Sequence, residues 1–375
     1  MDISTNAAPT PYHVIDLDKL CKNLSVFDYL KKRTHCKVLY ALKCYSSYLL
    51  FPYMTEVLDG VCASGWFEAQ LGREKFGKEV HTFSSALTQS NIDRVSLYSD
   101  YVAFNSVQQW KNFHSISLLH NCAVGVRVNP AYSERLSFNV DPCHESTRFG
   151  LSPHDLSHLC ADGIAFVLVH NMCGQFTNTL KRSLDIVTEK FSKYLETIKH
   201  INLGGGQLYT HSNYNISDAI TSINKLQESF GISVYIEPGE AVMLDSSYLV
   251  TSIVDIVDNG MKTAILDASA ICHMPDIIFS KYPCEIMNSY AKKDKPHSYR
   301  LAGCSCYAGD IFGDYSFVEP LSVGDKIVIK DSVNYTTVKS NMFNGINYPS
   351  LVFYSSTKGY ELIKNYNYDT YISIL

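Results

Sequence analysis

The sequence predicts an α/β protein, an eight-stranded (β/α)8 barrel followed by a mostly β domain. Three observations lead there: short, nearly unbroken apolar runs recur through the first two-thirds of the 375 residues, helical patterns separate them, and after about residue 241 the alternation stops. A parallel strand covered by helices on both faces reads as continuously apolar, not as alternating apolar and polar. Such runs fall at 37–42, 60–63, 80–84, 101–105, 123–128, 164–169, 201–203 and 234–236. Helical stretches such as 66–76 and 217–230 lie between them, and eight strands is the count of a closed barrel. Beyond 241 the runs are short and β-rich (248–257, 263–266, 326–329, 351–354), and Gly, Pro, Asn and Asp turns break them up. The expected division is a barrel domain over 30–240 and a β-rich domain over 241–375. The N-terminal segment 1–29 completes the second domain, with 11–15 supplying a strand.

Composition narrows the function classes. The chain is 46% hydrophobic and 18% charged, ordinary for a globular protein. Its 32 basic and 37 acidic residues give a formal charge of −5, and no Lys/Arg run offers a nucleic-acid surface. The first twenty residues have neither the basic start nor the apolar run of a signal peptide. The longest apolar stretch, 164–169, is far short of the roughly 20 residues that cross a bilayer. The expectation is a cytoplasmic protein without membrane contact, its twelve cysteines kept as thiols. Cys304 and Cys306, one residue apart, are poorly spaced for zinc, and no metal site is expected.

In such barrels chemistry gathers at the carboxyl ends of the strands. Lys43 ends the first strand, His170 the sixth, Gly204-Gly205-Gly206 the seventh and Glu237-Pro238-Gly239-Glu240 the eighth. Taken singly these are a solvated lysine, a core imidazole, a turn and a salt-bridged acid. Together the lysine, the glycines and the glutamate are a carbonyl-reactive amine, a loop of backbone N–H groups suited to phosphate, and a carboxylate able to keep a pyridine nitrogen protonated. That set matches the needs of pyridoxal 5'-phosphate. In the second domain, Gly303-Cys304-Ser305-Cys306-Tyr307-Ala308-Gly309-Asp310 reads equally as a tight connection with inert thiols or as a thiol donor beside an acidic substrate clamp.

These motifs carry a resemblance. The chain resembles the fold type III pyridoxal phosphate decarboxylases, the alanine-racemase-like group that includes ornithine and diaminopimelate decarboxylases. The likeness runs from Pro11-Tyr12 to Phe343-Asn344-Gly345. Tyr40-Ala41-Leu42-Lys43, Glu237-Pro238-Gly239-Glu240, Cys272-His273-Met274-Pro275-Asp276 and the 303–310 loop resemble most the branch that acts on carboxynorspermidine and carboxyspermidine. The resemblance implies that Lys43 carries the cofactor covalently and His170 stacks on its ring. It also implies that Gly204, Gly205, Gly206 and Tyr335 bind the phosphate, and that Glu237 pairs with the ring nitrogen. Cys306, contributed by a partner subunit of a homodimer, returns a proton to the substrate carbon, and Asp310, Glu240, Asp276 and His273 make the substrate-binding set.

The resemblance includes two departures. Ornithine and diaminopimelate decarboxylases place an arginine where Glu240 stands, and an acid follows their active cysteine where Tyr307 stands. Both point to a carboxylated polyamine as the small-molecule substrate. An amino-acid decarboxylase of the same fold and a catalytically silent homologue remain as alternatives.

Overall fold

The computed structural model describes residues 7–134, 141–159, 163–169, 178–280 and 283–375. The chain divides into two compact units, 23–242 and 1–22 together with 243–375. The first cut falls inside the helix Leu17–Thr34, earlier than the 29/30 boundary read from the sequence.

Strand β1 (Tyr12–Asp16) belongs to the second unit. In the first, β2 (Lys37–Ala41), β3 (Gly60–Ala63), β4 (Glu79–Phe83), β5 (Tyr101–Phe104), β6 (Ala123–Val128), β7 (Phe166–Val169), β8 (His200–Asn202) and β9 (Ser233–Ile236) form a closed parallel barrel. β2 closes on β9 through Lys37↔Tyr235 and Val38↔Ile236. Each strand lies within two residues of its predicted run. Helices between the strands start and stop on local chemistry. Ser106 accepts the Gln109 N–H at the head of Val107–Leu119, and Asn215 accepts the Ser217 N–H at the head of Ile216–Phe230. Gly231, at φ +65°, ends the latter in the left-handed conformation that glycine adopts without strain.

The barrel interior departs from the usual Val/Ile/Leu filling. Lys37 and Glu79, the first residues of β2 and β4, form an ion pair, and His81 Nε2 approaches Glu79 at 3.3 Å. The His81 ring stacks on Tyr101 at 4.2 Å, and the His200 ring stacks on Phe166 at 4.9 Å. Burial pulls the His200 pKa down to about 3, so this imidazole is neutral. Next to these rings, Ala103, Phe166 and Leu168 pack as an apolar layer. Gly125 makes room for that layer, because a Cβ there would come within 2.5 Å of the Phe166 ring.

The second unit is built around one long strand, β10 (Ser247–Asp258), which pairs with β1, β11 (Lys262–Leu266) and β15 (Lys326–Lys330). With β12 (Tyr290–Ala291), β13 (His297–Ala302), β14 (Ile311–Phe317), β16 (Ser350–Ser355) and β17 (Gly359–Lys364), the sheet runs β12-β14-β13-β11-β10-β1-β16-β17, with β15 also on β10. Alternation along β10 serves two cores. Leu249 and Ile253 pack with Leu266, Leu301, Phe312 and Ile329, whereas Tyr248 and Val250 pack with Tyr12, Val14 and Val352. Among the described residues, no helix is long and apolar enough to cross a membrane.

Candidate active site

The carboxyl ends of the barrel strands surround a partly open recess lined by residues including Lys43, Cys62, His81, Arg127, Asn202 and Glu237. Half-buried Lys43 stands two residues past the end of β2. Glu68, on the helix Trp66–Leu71, lies within its field. Burial pushes the Glu68 pKa up, while the Ser64 N–H, donated at 2.6 Å, and the Lys43 ammonium pull it down. The Cys62 thiol is pushed well above its ordinary value by burial and by the Glu237 carboxylate, and Lys43 opposes that shift.

Glu237 follows β9 and is 7% exposed. Its Oε1 accepts the Asn202 Nδ2–H at 2.8 Å, and its backbone N–H donates to Gly204 C=O at 2.8 Å. Arg127, in β6, is 5% exposed, and its guanidinium lies between the rings of Phe83 (4.4 Å) and Phe149 (4.6 Å). Burial lowers its pKa to about 10. Among the described residues no oxygen accepts a hydrogen bond from this cation, which is an expensive arrangement unless an anion completes it.

The glycine loop is narrower as an anion cradle than the sequence suggests. The Gly204 N–H already donates to Asn202 Oδ1 at 2.9 Å, leaving the N–H groups of Gly205 and Gly206. Glu240, half-buried, opens the short helix Glu240–Met243. His170 lies outside the described residues. Arg127, Asn202, Cys62 and Glu68 were not singled out in the sequence. Arg127 had a legible signal, a charge inside the apolar run Ala123–Val128.

The remaining expected site residues belong to the second unit. Cys306 is exposed, and its backbone N–H donates to Asn344 Oδ1 at 2.8 Å. Tyr335 is half-buried with φ +56°. Asp276 forms an ion pair with Lys339.

Two of the expected residues are held by bonds within the protein. Asp310 is 3% exposed, and its carboxylate accepts from Ser269 Oγ (2.8 Å), Ala270 N–H (2.6 Å), Ile271 N–H (3.1 Å) and Ser305 N–H (3.1 Å). Those four bonds fill the lone pairs of a carboxylate, so in this structure Asp310 anchors its own loop. His273 is fully buried. Its Nδ1 accepts the Ser269 N–H at 3.2 Å and its Nε2 meets the Asn347 carbonyl at 3.0 Å, which uses both ring nitrogens internally. Burial takes its pKa to about 4.

The family model described as pyridoxal-dependent decarboxylase, C-terminal sheet domain, matches residues 14–332. The chain is 34% identical over 367 residues to the carboxynorspermidine/carboxyspermidine decarboxylase of Herminiimonas arsenicoxydans, covering 98% of this chain and 99% of that one. The chain belongs to the pyridoxal-dependent decarboxylases. The crystal structure of carboxynorspermidine decarboxylase from Campylobacter jejuni, complexed with norspermidine, superposes with a TM-score of 0.90 at 32% identity, covering 98% of this chain and all of that one. The carboxyaminopropylagmatine decarboxylase of Synechocystis is 32% identical over 370 residues, 98% of this chain and 95% of that one.

As a pyridoxal-dependent decarboxylase, the protein is a carboxy-lyase that uses pyridoxal 5'-phosphate. The chemistry of the lining residues fits this cofactor. A lysine, a buried carboxylate and a buried guanidinium with no acceptor among the described residues meet a molecule that brings an aldehyde, a basic ring nitrogen and anionic oxygens.

Proposed function

We propose that the enzyme decarboxylates carboxynorspermidine, carboxyspermidine or both, releasing the polyamine and CO2. The observation that carries this reading is the full-length likeness to relatives of that name, one of them complexed with norspermidine. When bound, pyridoxal 5'-phosphate supplies the electron sink for the pair released as CO2 leaves.

The chain's own residues then have these tasks. Lys43 holds the cofactor and yields its place to the substrate amine. Glu237 keeps a proton on the ring nitrogen, and His170 covers the ring. Gly205 and Gly206, with Gly204 shaping their turn, hold the phosphate together with Tyr335. Arg127 takes an anionic oxygen brought in by cofactor or substrate. Cys306 of the partner subunit gives its thiol proton to the substrate carbon, which makes the active form a homodimer working in the cytoplasm. Glu240 and Asp276 accept the substrate's ammonium groups, and for Asp276 the incoming ammonium displaces Lys339. The two units seen in the structure are the two domains of this enzyme.

Product formation from carboxynorspermidine, carboxyspermidine and carboxyaminopropylagmatine, measured side by side, tests the reading. Preference for the first two supports it. Turnover of diaminopimelate or ornithine alone would sink it.

A further inference from the structure

Asn202 joins two parts of the barrel that the proposed cofactor site uses separately. It is the last residue of β8, and it is 1% exposed. Its Nδ2–H donates to Glu237 Oε1 at 2.8 Å, while its Oδ1 accepts the Gly204 N–H at 2.9 Å. The Glu237 N–H in turn donates to the Gly204 carbonyl at 2.8 Å. The three residues close a ring of hydrogen bonds between the ends of β8 and β9.

The chemistry of this ring is specific. An amide is a neutral donor, so it fixes a carboxylate rotamer without neutralising its charge. A lysine or arginine in the same place would pair with Glu237 and compete with any cationic ligand. At its other end the amide accepts the Gly204 N–H. This supports the φ of +66° at Gly204 and withdraws that N–H from anion binding, so Gly205 and Gly206 carry the task. One side chain therefore sets both the carboxylate and the glycine turn.

We propose that Asn202 is a positioning residue for the cofactor, holding Glu237 as an oriented anion and setting the Gly204 turn, so that the ring-nitrogen and phosphate ends of the cofactor are fixed together. The proposal rests on reading Lys43, Glu237 and the glycine loop as the pyridoxal phosphate site.

Asn202→Asp provides the test. The aspartate keeps the size of the side chain and still accepts the Gly204 N–H, but it brings a second carboxyl against Glu237. Two carboxyls at that distance hold together only by sharing a proton. Glu237 acts electrostatically on Cys62 and Arg127, and with Lys43 and His81 these line the same recess. All of them are present in both proteins, so the difference between variant and wild type reports the added carboxyl in its surroundings. The cofactor-free full-length protein is titrated with pyridoxal 5'-phosphate, followed by absorbance, from about pH 6 to pH 8. The ratio of variant to wild-type Kd is expected to rise about tenfold or more across that range.

A second pair of variants removes dependence on the folding of Asn202→Asp. Asn202→Leu is expected to weaken cofactor binding strongly in the wild-type background and much less in a Glu237→Gln background. A flat Kd ratio for Asn202→Asp, or an equal loss from Asn202→Leu in both backgrounds, would overturn the positioning role. Failure of the wild-type protein to take up the cofactor at Lys43 would instead overturn the site reading beneath it.

Discussion

Asp310 and Ser269, forty-one residues apart, are joined by a 2.8 Å hydrogen bond from the serine hydroxyl to a buried carboxylate. The same carboxylate caps the N–H groups of Ala270 and Ile271 and holds Ser305, one residue before Cys306. Gly303 is tied to this arrangement, since a Cβ there would lie 2.3 Å from the Asp310 carboxylate. Asp310→Ala leaves buried N–H groups without an acceptor and is expected to lower stability by about 3 kcal/mol. Thermal unfolding of the cofactor-free protein measures this. A variant that melts like wild type but shows a raised KM for the polyamine would restore Asp310 as a substrate ligand.

Arg127 has the opposite signature. It is a buried cation with no hydrogen-bond acceptor among the described residues, and on the proposal that its partner comes with the ligand, Arg127→Met removes a liability from the cofactor-free protein. The melting temperature of that form is expected to stay level or rise, while cofactor or substrate affinity falls about tenfold or more. Paired melting and binding titrations check both halves. A large loss of stability without loss of affinity would make Arg127 a packing residue held by Phe83 and Phe149.

The proposed sharing of Cys306 between subunits has a stoichiometric consequence. Inactive Lys43→Ala and inactive Cys306→Ala proteins, unfolded and refolded together in equal amounts, form mixed dimers with one intact site in each. Activity is expected to recover to about a quarter of wild type. No recovery would place both residues of each site in one chain.

Three buried histidines set the acid limit of the fold. Burial holds His13 and His200 at about 3 and His273 at about 4, with the neighbouring His273 adding to the shift of His13 and His81 to that of His200. Their unfolded value is near 6.5, so between these limits the unfolded chain binds more protons and stability falls as pH falls. Each histidine contributes about 1.4 kcal/mol per pH unit within that window. Two of the three lie in the sheet unit, which is expected to weaken first as pH drops from about 6.5 to 5. Glu79, held at about 2, matters only below its unfolded value of 4.5. Urea unfolding at pH 7, 6 and 5 measures the slope, and a flat profile would contradict it.

The barrel was legible because its strands are buried on both faces and announce themselves as unbroken apolar runs. β13 and β14 escaped notice because His297–Ala302 and Ile311–Phe317 mix polar and apolar residues, and pairing between them decides their structure. Lys43, Glu237 and the glycine loop could be read because strand ends are where barrels place reactive groups. The internal bonds of Asp310 and His273 were not legible for one physical reason. Whether a polar side chain faces a ligand or its own backbone depends on partners distant in sequence, here Ser269 for Asp310 and Asn347 for His273. Asn202 shows the converse, since nothing in Ile-Asn-Leu-Gly marks an amide that reaches both Glu237 and Gly204.

The central claim is that Lys43 carries the cofactor. Borohydride reduction of the protein loaded with pyridoxal 5'-phosphate, followed by digestion and mass spectrometry, tests it directly. The account expects a stable phosphopyridoxyl group on the peptide containing Lys43, absent from Lys43→Ala. Labelling of another lysine instead, or no label at all, would contradict it.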